Sequence, residues 1–272
     1  MRGERRASDP GCAELPLLDE PYRGRAVPPG SARYLAWLFA PPAARAPLLG
    51  IFAMLAEWHA ALRTDLAPPV AATKLAWWRD EIQRLRQGRP VHPIGRYLLA
   101  SVDESPIDWD PLERAVEAAA QRIGDARLET DPDLEDRADA LIGGPLRVAA
   151  RLGARSEERG GEHPARALEA CTRAIAVGQI LAHAAEDAAG DPTRADALRT
   201  EARRRFVAAV DALPPNARSR HRELLVLAVL EAHHSRTPRP AAAVPARLSD
   251  LFLAWRTARR AARTDPRTPE IP

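Results

Sequence analysis

Three side chains in the second half of the chain are spaced so that they could act together. In the segment QILAHAAEDAAG, His183, Glu186 and Asp187 lie three and four residues apart, so on a helix they share one face. An imidazole and two carboxylates are a donor set that can bind a metal ion. His59 could join them if its own helix lies opposite. A His–Asp pair with this spacing is also common on helices that bind nothing, so both interpretations stay open.

Three basic side chains could hold a phosphate group. Arg45, Lys74 and Arg79 lie in or beside apolar-periodic segments, and Lys74 is the only lysine among the 40 basic residues. Guanidinium and ammonium groups both bind phosphate oxygens. The alternative is that all three have ordinary surface or ion-paired roles.

Other kinds of site lack their sequence signatures. The chain has neither a Gly-x-Ser-x-Gly elbow nor a glycine-rich phosphate loop, and the alanine-rich surroundings of Cys171 indicate packing. Residues 201–272 carry 14 arginines against 7 acidic residues. These arginines alternate with apolar helical positions and have no aromatic platform beside them, so we do not expect nucleic-acid binding. A solvated face or contact with an anionic membrane fits the pattern better.

The elements that position these residues are predicted to be helices. From Arg45 to Pro93, two apolar-periodic segments are joined by Pro68 and Pro69, which indicates a helical hairpin. Gly88 followed by Pro90 predicts the end of the second helix. Trp77 and Trp78 are adjacent and cannot share one helix face, so we expect at least one of them to pack in the core.

The rest of the chain continues the helical pattern. Ser31 is a good N-cap for an opening helix, SARYLAWLFA, and Gly143, Gly144 and Pro145 should distort a later one. No stretch shows the strict alternation of a sheet. We therefore predict one all-α domain of about nine or ten helices over residues 31–263. Residues 1–30 are expected to be a flexible extension and residues 264–272 a tail.

Two cysteines, Cys12 and Cys171, form neither a disulfide framework nor a zinc site. No apolar run approaches the length of a transmembrane helix, and the N-terminus has no signal-peptide pattern. These features favour a cytoplasmic protein. Any contact with the inner membrane is expected to be peripheral and to use the basic C-terminal part.

Three stretches of the sequence resemble the squalene/phytoene synthase family. They are SARYLAWLFAPPAAR from Ser31, KLAWWRDEIQRLRQGRPVHPI from Lys74 and QILAHAAEDAAG from Gln179. The resemblance implies a single isoprenoid-synthase-like helical domain around a central cavity. It also implies prenyl diphosphates as ligands, and active members of the family condense two of them head to head with Mg²⁺ held by two aspartate-rich motifs on facing helices.

Both motifs depart from the family pattern in this chain. The first should fall at His59 to Arg63, where the residues are HAALR, with Glu57 the nearest preceding acid. The second should fall at His183 to Asp187, with Glu186 between them. Only Glu186 and Asp187 are left as oxygen ligands for a metal. The chain most resembles the branch with degenerate motifs, which includes the complex I assembly-factor homologues.

This resemblance leaves three hypotheses. The chain could be a pseudoenzyme that binds a prenyl or lipid-like ligand in the cavity, or a protein that assists assembly of a membrane complex. It could instead be an active prenyltransferase of isoprenoid or carotenoid biosynthesis. No cofactor is expected for the first two, whereas the third would need Mg²⁺.

Overall fold

The computed structural model describes residues 18–62, 66–102, 107–123, 133–153, 162–188, 190–236 and 248–263. These ranges contain thirteen α-helical segments and one π-helical segment, and no strand. The all-α prediction is therefore confirmed, with more and shorter segments than expected. The helices are α1 Glu20–Ala26, α2 Ala32–Phe39, α3 Pro42–Ala61, α4 Pro68–Arg86, α5 Pro93–Ala100, α6 Asp110–Gln121, α7 Leu134–Ala138, α8 Gly144–Gly153, α9 Glu162–Asp187, α10 Pro192–Ala212, α11 Pro215–Arg218, α12 Arg222–His234 and α13 Leu248–Arg263.

The predicted hairpin is formed by α3 and α4. Helix α3 is apolar on nearly every side and lies in the centre of the core, where Phe52 and Trp58 are both almost fully buried. Helix α4 is amphipathic: Trp78 is buried in the core, and Trp77 stays 40% exposed. This confirms that at least one of the two adjacent tryptophans is a core residue.

Part of the predicted N-terminal extension belongs to the fold. Helix α1 packs against α3. The side chains of Ala26, its last residue, and Val27, the next residue, are buried. Pro21 lies in the first turn of α1, where its missing N–H costs nothing. Pro21 and Pro28 therefore lie at the start of this short helix and just after its end. Residues 1–17 and 264–272 lie outside the described ranges.

The glycine-rich stretch before α8 does interrupt helical geometry. Residues Asp139–Gly143 form a π-helical turn that connects α7 to α8. Arg147 from α8 donates to Asp139 Oδ2 at 2.7 Å and to Thr172 Oγ1 of α9 at 3.1 Å. The distorted turn is thus held to α9 by a half-buried charged contact.

The long helices of the second half pack against one another. Helix α9 lies along α10, α10 contacts α12, and α12 contacts both α2 and α13. Cys171 of α9 is buried, and this burial raises the pKa of its thiol to about 12. In the described ranges no helix is both long and apolar enough to cross a bilayer.

Candidate functional site

Two of the first-motif positions, His59 and Glu57, lie in the described part of the chain. Helix α3 directs their side chains to opposite sides. Residues two apart on a helix project roughly 200° apart, so His59 and Glu57 cannot face the same space. The Glu57 carboxylate accepts from Arg25 of α1 at 2.6 Å and lies 3.4 Å from Lys74 Nζ of α4. It faces the outside of the hairpin. Arg63 lies outside the described residues.

His59 faces inward and is surrounded by positive charge. Burial, and to a smaller extent the charges of Arg33, Arg122 and His183, lowers the pKa of its imidazole to about 3. These groups come from α2, the end of α6 and α9. We call Arg33, His59, Arg122 and His183 the inner basic cluster. It brings a first-motif and a second-motif position together, as expected if the two helices face each other.

Arg33 connects the cluster to the apolar interior. Its guanidinium lies over the ring of Phe52, 5.5 Å from the centroid. Phe52 precedes His59 on α3 by about two helical turns. Burial lowers the pKa of Arg33, and the charge of Glu231 on α12 opposes this effect. Gln179 of α9 donates to Glu231 at 3.5 Å. Helices α2, α3, α9 and α12 therefore meet at this side of the cluster.

The second-motif residues lie at the end of α9, at the solvent side of the cluster. His183 Nδ1 is 3.6 Å from Glu186 Oε2, and both side chains are largely exposed. The contact with Glu186 raises the pKa of His183, while partial burial opposes the rise and Asp187 supports it. His183 is thus the member of the cluster whose charge changes most readily near neutral pH.

The described residues of the inner basic cluster do not fit a Mg²⁺ cluster. Mg²⁺ takes oxygen ligands in octahedral geometry, and this cluster offers cationic nitrogen groups and a partly buried imidazole. Glu186, one of the two predicted metal ligands, is already turned toward His183. Within the part of the chain that the structure describes, no three His, Cys, Asp or Glu side chains are grouped to hold a metal ion. The cluster is instead suited to an anion.

The three predicted phosphate-binding residues do not belong to this cluster. Arg45 donates to the Leu38 and Ala40 carbonyls, so it stabilises the end of α2. Lys74 pairs with Glu57 on the outer side, and Arg79 is exposed on α4. Arg45 and the Glu57–Lys74 pair are separated by roughly 18 Å along α3. Arg45 therefore has a structural role and Lys74 an ion pair, and phosphate binding by these residues stays a prediction.

Sequence reasoning missed Arg33 and Arg122. Arg33 follows the N-cap of α2, and Arg122 is the C-cap residue of α6. In a chain with 39 arginines, neither position carries a local pattern that separates it from a surface arginine. Their importance comes only from the packing of α2 and α6 around His59.

A concave surface lies on the outer side of the hairpin. It is an open groove of about 670 Å³, in which the rings of Trp77, Trp78 and His92 meet edge to face or tilted. The groove is lined by Glu57, Pro69, Val70, Thr73, Lys74, Trp77, Trp78 and His92. Its acid and its lysine neutralise each other, so it lacks the net charge of the inner basic cluster.

Comparison with known proteins matches the chain to one family model. The family model described as squalene/phytoene synthase matches residues 28–254. No curated protein matches the chain. The matched range begins just before α2 and ends within α13, so it includes every described helix that contributes to the inner basic cluster.

Proposed function

Because the chain belongs to the squalene/phytoene synthase family, we propose that it keeps the cavity of that family as an anion-binding site without metal-dependent catalysis. In this proposal it is a pseudoenzyme whose ligand is a prenyl diphosphate or a similar lipid with an anionic head. The observation that carries the proposal is the group of cations around His59, at a position where the family resemblance implies a carboxylate.

The chemistry of the cluster supports binding over turnover. Guanidinium groups form charge-assisted hydrogen bonds with phosphate oxygens, so Arg33 and Arg122 can neutralise a diphosphate directly. Ionisation of a prenyl diphosphate, by contrast, separates a carbocation from a highly charged leaving group, and metal ions placed in advance stabilise that separation. Fixed cations at the place of the metal ligands would repel Mg²⁺.

The surroundings of the cluster support a ligand with an apolar tail. Phe52 lies under Arg33 and belongs to a helix that is buried on nearly every side. An anionic head bound by the arginines would therefore lie beside apolar side chains. The charged head would provide orientation and the tail would provide most of the buried area.

Binding measured in EDTA tests this proposal. We expect the protein to bind farnesyl diphosphate without divalent metal, and Arg122→Gln to weaken binding by about tenfold. Arg33→Gln should do the same if it folds. Arg79→Gln is the matched control, since Arg79 is exposed on α4, away from the cluster. Farnesol should bind more weakly than the diphosphate. Binding that appears only when Mg²⁺ is added would refute the proposal.

A role in assembly of a membrane complex is the second candidate. It follows from the resemblance to the branch with degenerate motifs, in which the ligand-binding scaffold would be kept after catalysis is lost. The replacement of two expected carboxylates by His59 and His183 supports membership in that branch. Co-purification of a membrane complex subunit with the wild-type protein, and its loss on substitution of an exposed face, would support this role.

A further inference from the structure

The basic C-terminal part is not one uniform cationic surface. Arg205 pairs with Glu135 at 2.6 Å and with Glu201 at 3.0 Å. Arg218 donates to the Leu213 carbonyl at 3.0 Å, and Arg222 donates to the Phe39 carbonyl at 2.7 Å. These arginines hold helices together and satisfy carbonyl groups at helix ends. The positive charge that a partner could contact must therefore come from other arginines of the C-terminal part.

Helix α13 has one face that is fixed to the rest of the fold. Ala254, Ala258 and Ala261 are buried on this face, and α13 contacts α12 and α2. Asp250 is 1% exposed, and its carboxylate lies 3.4 Å from His234 Nε2 and 3.8 Å from His233 Nε2 of α12. The small residues allow close packing, and Asp250 holds the first turn in place.

The opposite face of α13 exposes large apolar side chains. Leu248, Phe252 and Trp255 project within about 60° of one another on the helix, and Leu251 lies beside them. Their exposed fractions are 85% for Leu248, 58% for Phe252, 42% for Trp255 and 40% for Leu251. The rings of Phe252 and Trp255 are 5.8 Å apart. These are four of the nine large apolar side chains that stand out as exposed in the described part of the chain.

The same outward face is cationic in its second half. Arg256, Arg259, Arg260 and Arg263 are all exposed, and Arg259 lies 5.1 Å from the centre of the Trp255 ring. The only acidic residue of α13 is Asp250, which is buried on the other face. An apolar patch followed by arginines, with no exposed acid between them, matches a surface with an apolar interior and anionic headgroups.

We propose that the outward face of α13 docks on an anionic lipid bilayer. The helix lies in the plane of the interface, with the side chains of Leu248, Leu251, Phe252 and Trp255 entering the acyl boundary. The arginines of the second half contact the headgroups, where each cation near an anionic surface adds attraction. A protein partner would need its own apolar and acidic surface of the same shape, whereas a bilayer supplies both along any direction.

Vesicle co-sedimentation tests the proposal with the full-length protein. We expect binding to phosphatidylcholine vesicles that contain phosphatidylglycerol, and much weaker binding to phosphatidylcholine alone or in high salt. Phe252→Ser/Trp255→Ser should lower the partition coefficient by about tenfold or more. Arg256→Gln/Arg260→Gln should lower it by about fivefold for each arginine removed.

Matched controls lie on other exposed surfaces. Val70→Ser/Val207→Ser removes two exposed apolar side chains, and Arg203→Gln/Arg204→Gln removes two exposed arginines of α10. Both variants should bind vesicles like the wild type. Equal losses in the controls and in the α13 variants would overturn the proposal.

The competing explanation is a protein interface, and it predicts a different result. If the outward face of α13 bound a second copy of the chain, the wild type would be a dimer, and Phe252→Ser/Trp255→Ser would make it monomeric. The vesicles would then bind neither protein. Light scattering on the same two samples separates that outcome from lipid docking.

Discussion

The side chain of His59 lies among the charged side chains of the inner basic cluster. Its pKa of about 3 means that the ring is neutral at physiological pH, so it adds no charge to the inner basic cluster. The charge comes from Arg33 and Arg122, and contact with Glu186 raises the pKa of His183 and so favours its charged form. A neutral imidazole can still donate or accept one hydrogen bond, which would orient a bound headgroup without competing for its charge.

Acid titration of stability tests this view of His59. An unfolded histidine has a pKa near 6.5, so below that value the unfolded chain binds a proton that folded His59 excludes until about pH 3. The contribution of His59 is fully present above pH 6.5 and is lost as the pH falls through this window. We expect the free energy of unfolding to fall less steeply with acidification in His59→Asn, by up to about 1.4 kcal/mol per pH unit. Parallel curves for the two proteins would show that His59 is protonated normally.

The turn between α4 and α5 depends on one buried carboxylate. Glu81 is fully buried, and its Oε1 accepts from the backbone N–H of Val91 at 2.9 Å and of His92 at 2.8 Å. Its other oxygen accepts from Arg84 at 2.8 Å. A side chain at Gly95 would approach Glu81 Oε1 to 2.8 Å, so a glycine is needed there. The charge of Glu81 thus holds the entry of α5.

Removing that carboxylate should destabilise the fold. Glu81→Ala leaves the N–H groups of Val91 and His92 and the guanidinium of Arg84 without their acceptor, so we expect a loss of about 3 kcal/mol in the free energy of unfolding. Urea denaturation measures it. Glu117→Ala, at an exposed position of α6, is the control and should change stability by no more than about 0.5 kcal/mol. Similar midpoints for Glu81→Ala and the control would mean that the turn is held by other contacts.

Helices α9 and α10 lie close together where Gly178 faces Phe206. A methyl group added at Gly178 would lie 2.7 Å from the Phe206 ring, and that ring is fully buried. We expect Gly178→Ala to cost about 1–3 kcal/mol of stability through this overlap. In the double variant Gly178→Ala/Phe206→Leu the smaller side chain should relieve part of the cost. If the two substitutions are simply additive in thermal unfolding, the close approach is not the cause.

In the molecule as a whole, helices were easier to predict from the sequence than contacts between residues that are distant along the chain. Hydrophobic periodicity and proline or glycine stop signals predicted the α3–α4 hairpin, and Gly88 does adopt a positive φ of 71° after α4. The first described helix was missed because a short helix with prolines at both ends resembles a loop. Hydrophobic periodicity identified the amphipathic helices because the pattern of each helix lies within one continuous segment of the sequence.

The inner basic cluster could not be predicted in the same way. Its members come from four helices that are distant along the chain, and only His59 and His183 were identified, through the family resemblance. The sequence also did not distinguish Glu57, which pairs with α1 and α4, from an acid that faces the cavity. Which side of a helix a charge occupies depends on how the helix is rotated against its neighbours, and that is a property of the assembled core.

Product analysis is the measurement that tests the central claim most directly. The protein is incubated with radiolabelled farnesyl and geranylgeranyl diphosphate in Mg²⁺, beside a His59→Asp/Arg63→Asp/His183→Asp variant that restores the acids of both motifs. We expect the unmodified protein to form no condensed product above background, because the inner basic cluster would bind the diphosphate with cations and would not recruit Mg²⁺. Squalene or phytoene from the unmodified protein, abolished by Asp187→Ala, would contradict it and identify the chain as an active synthase.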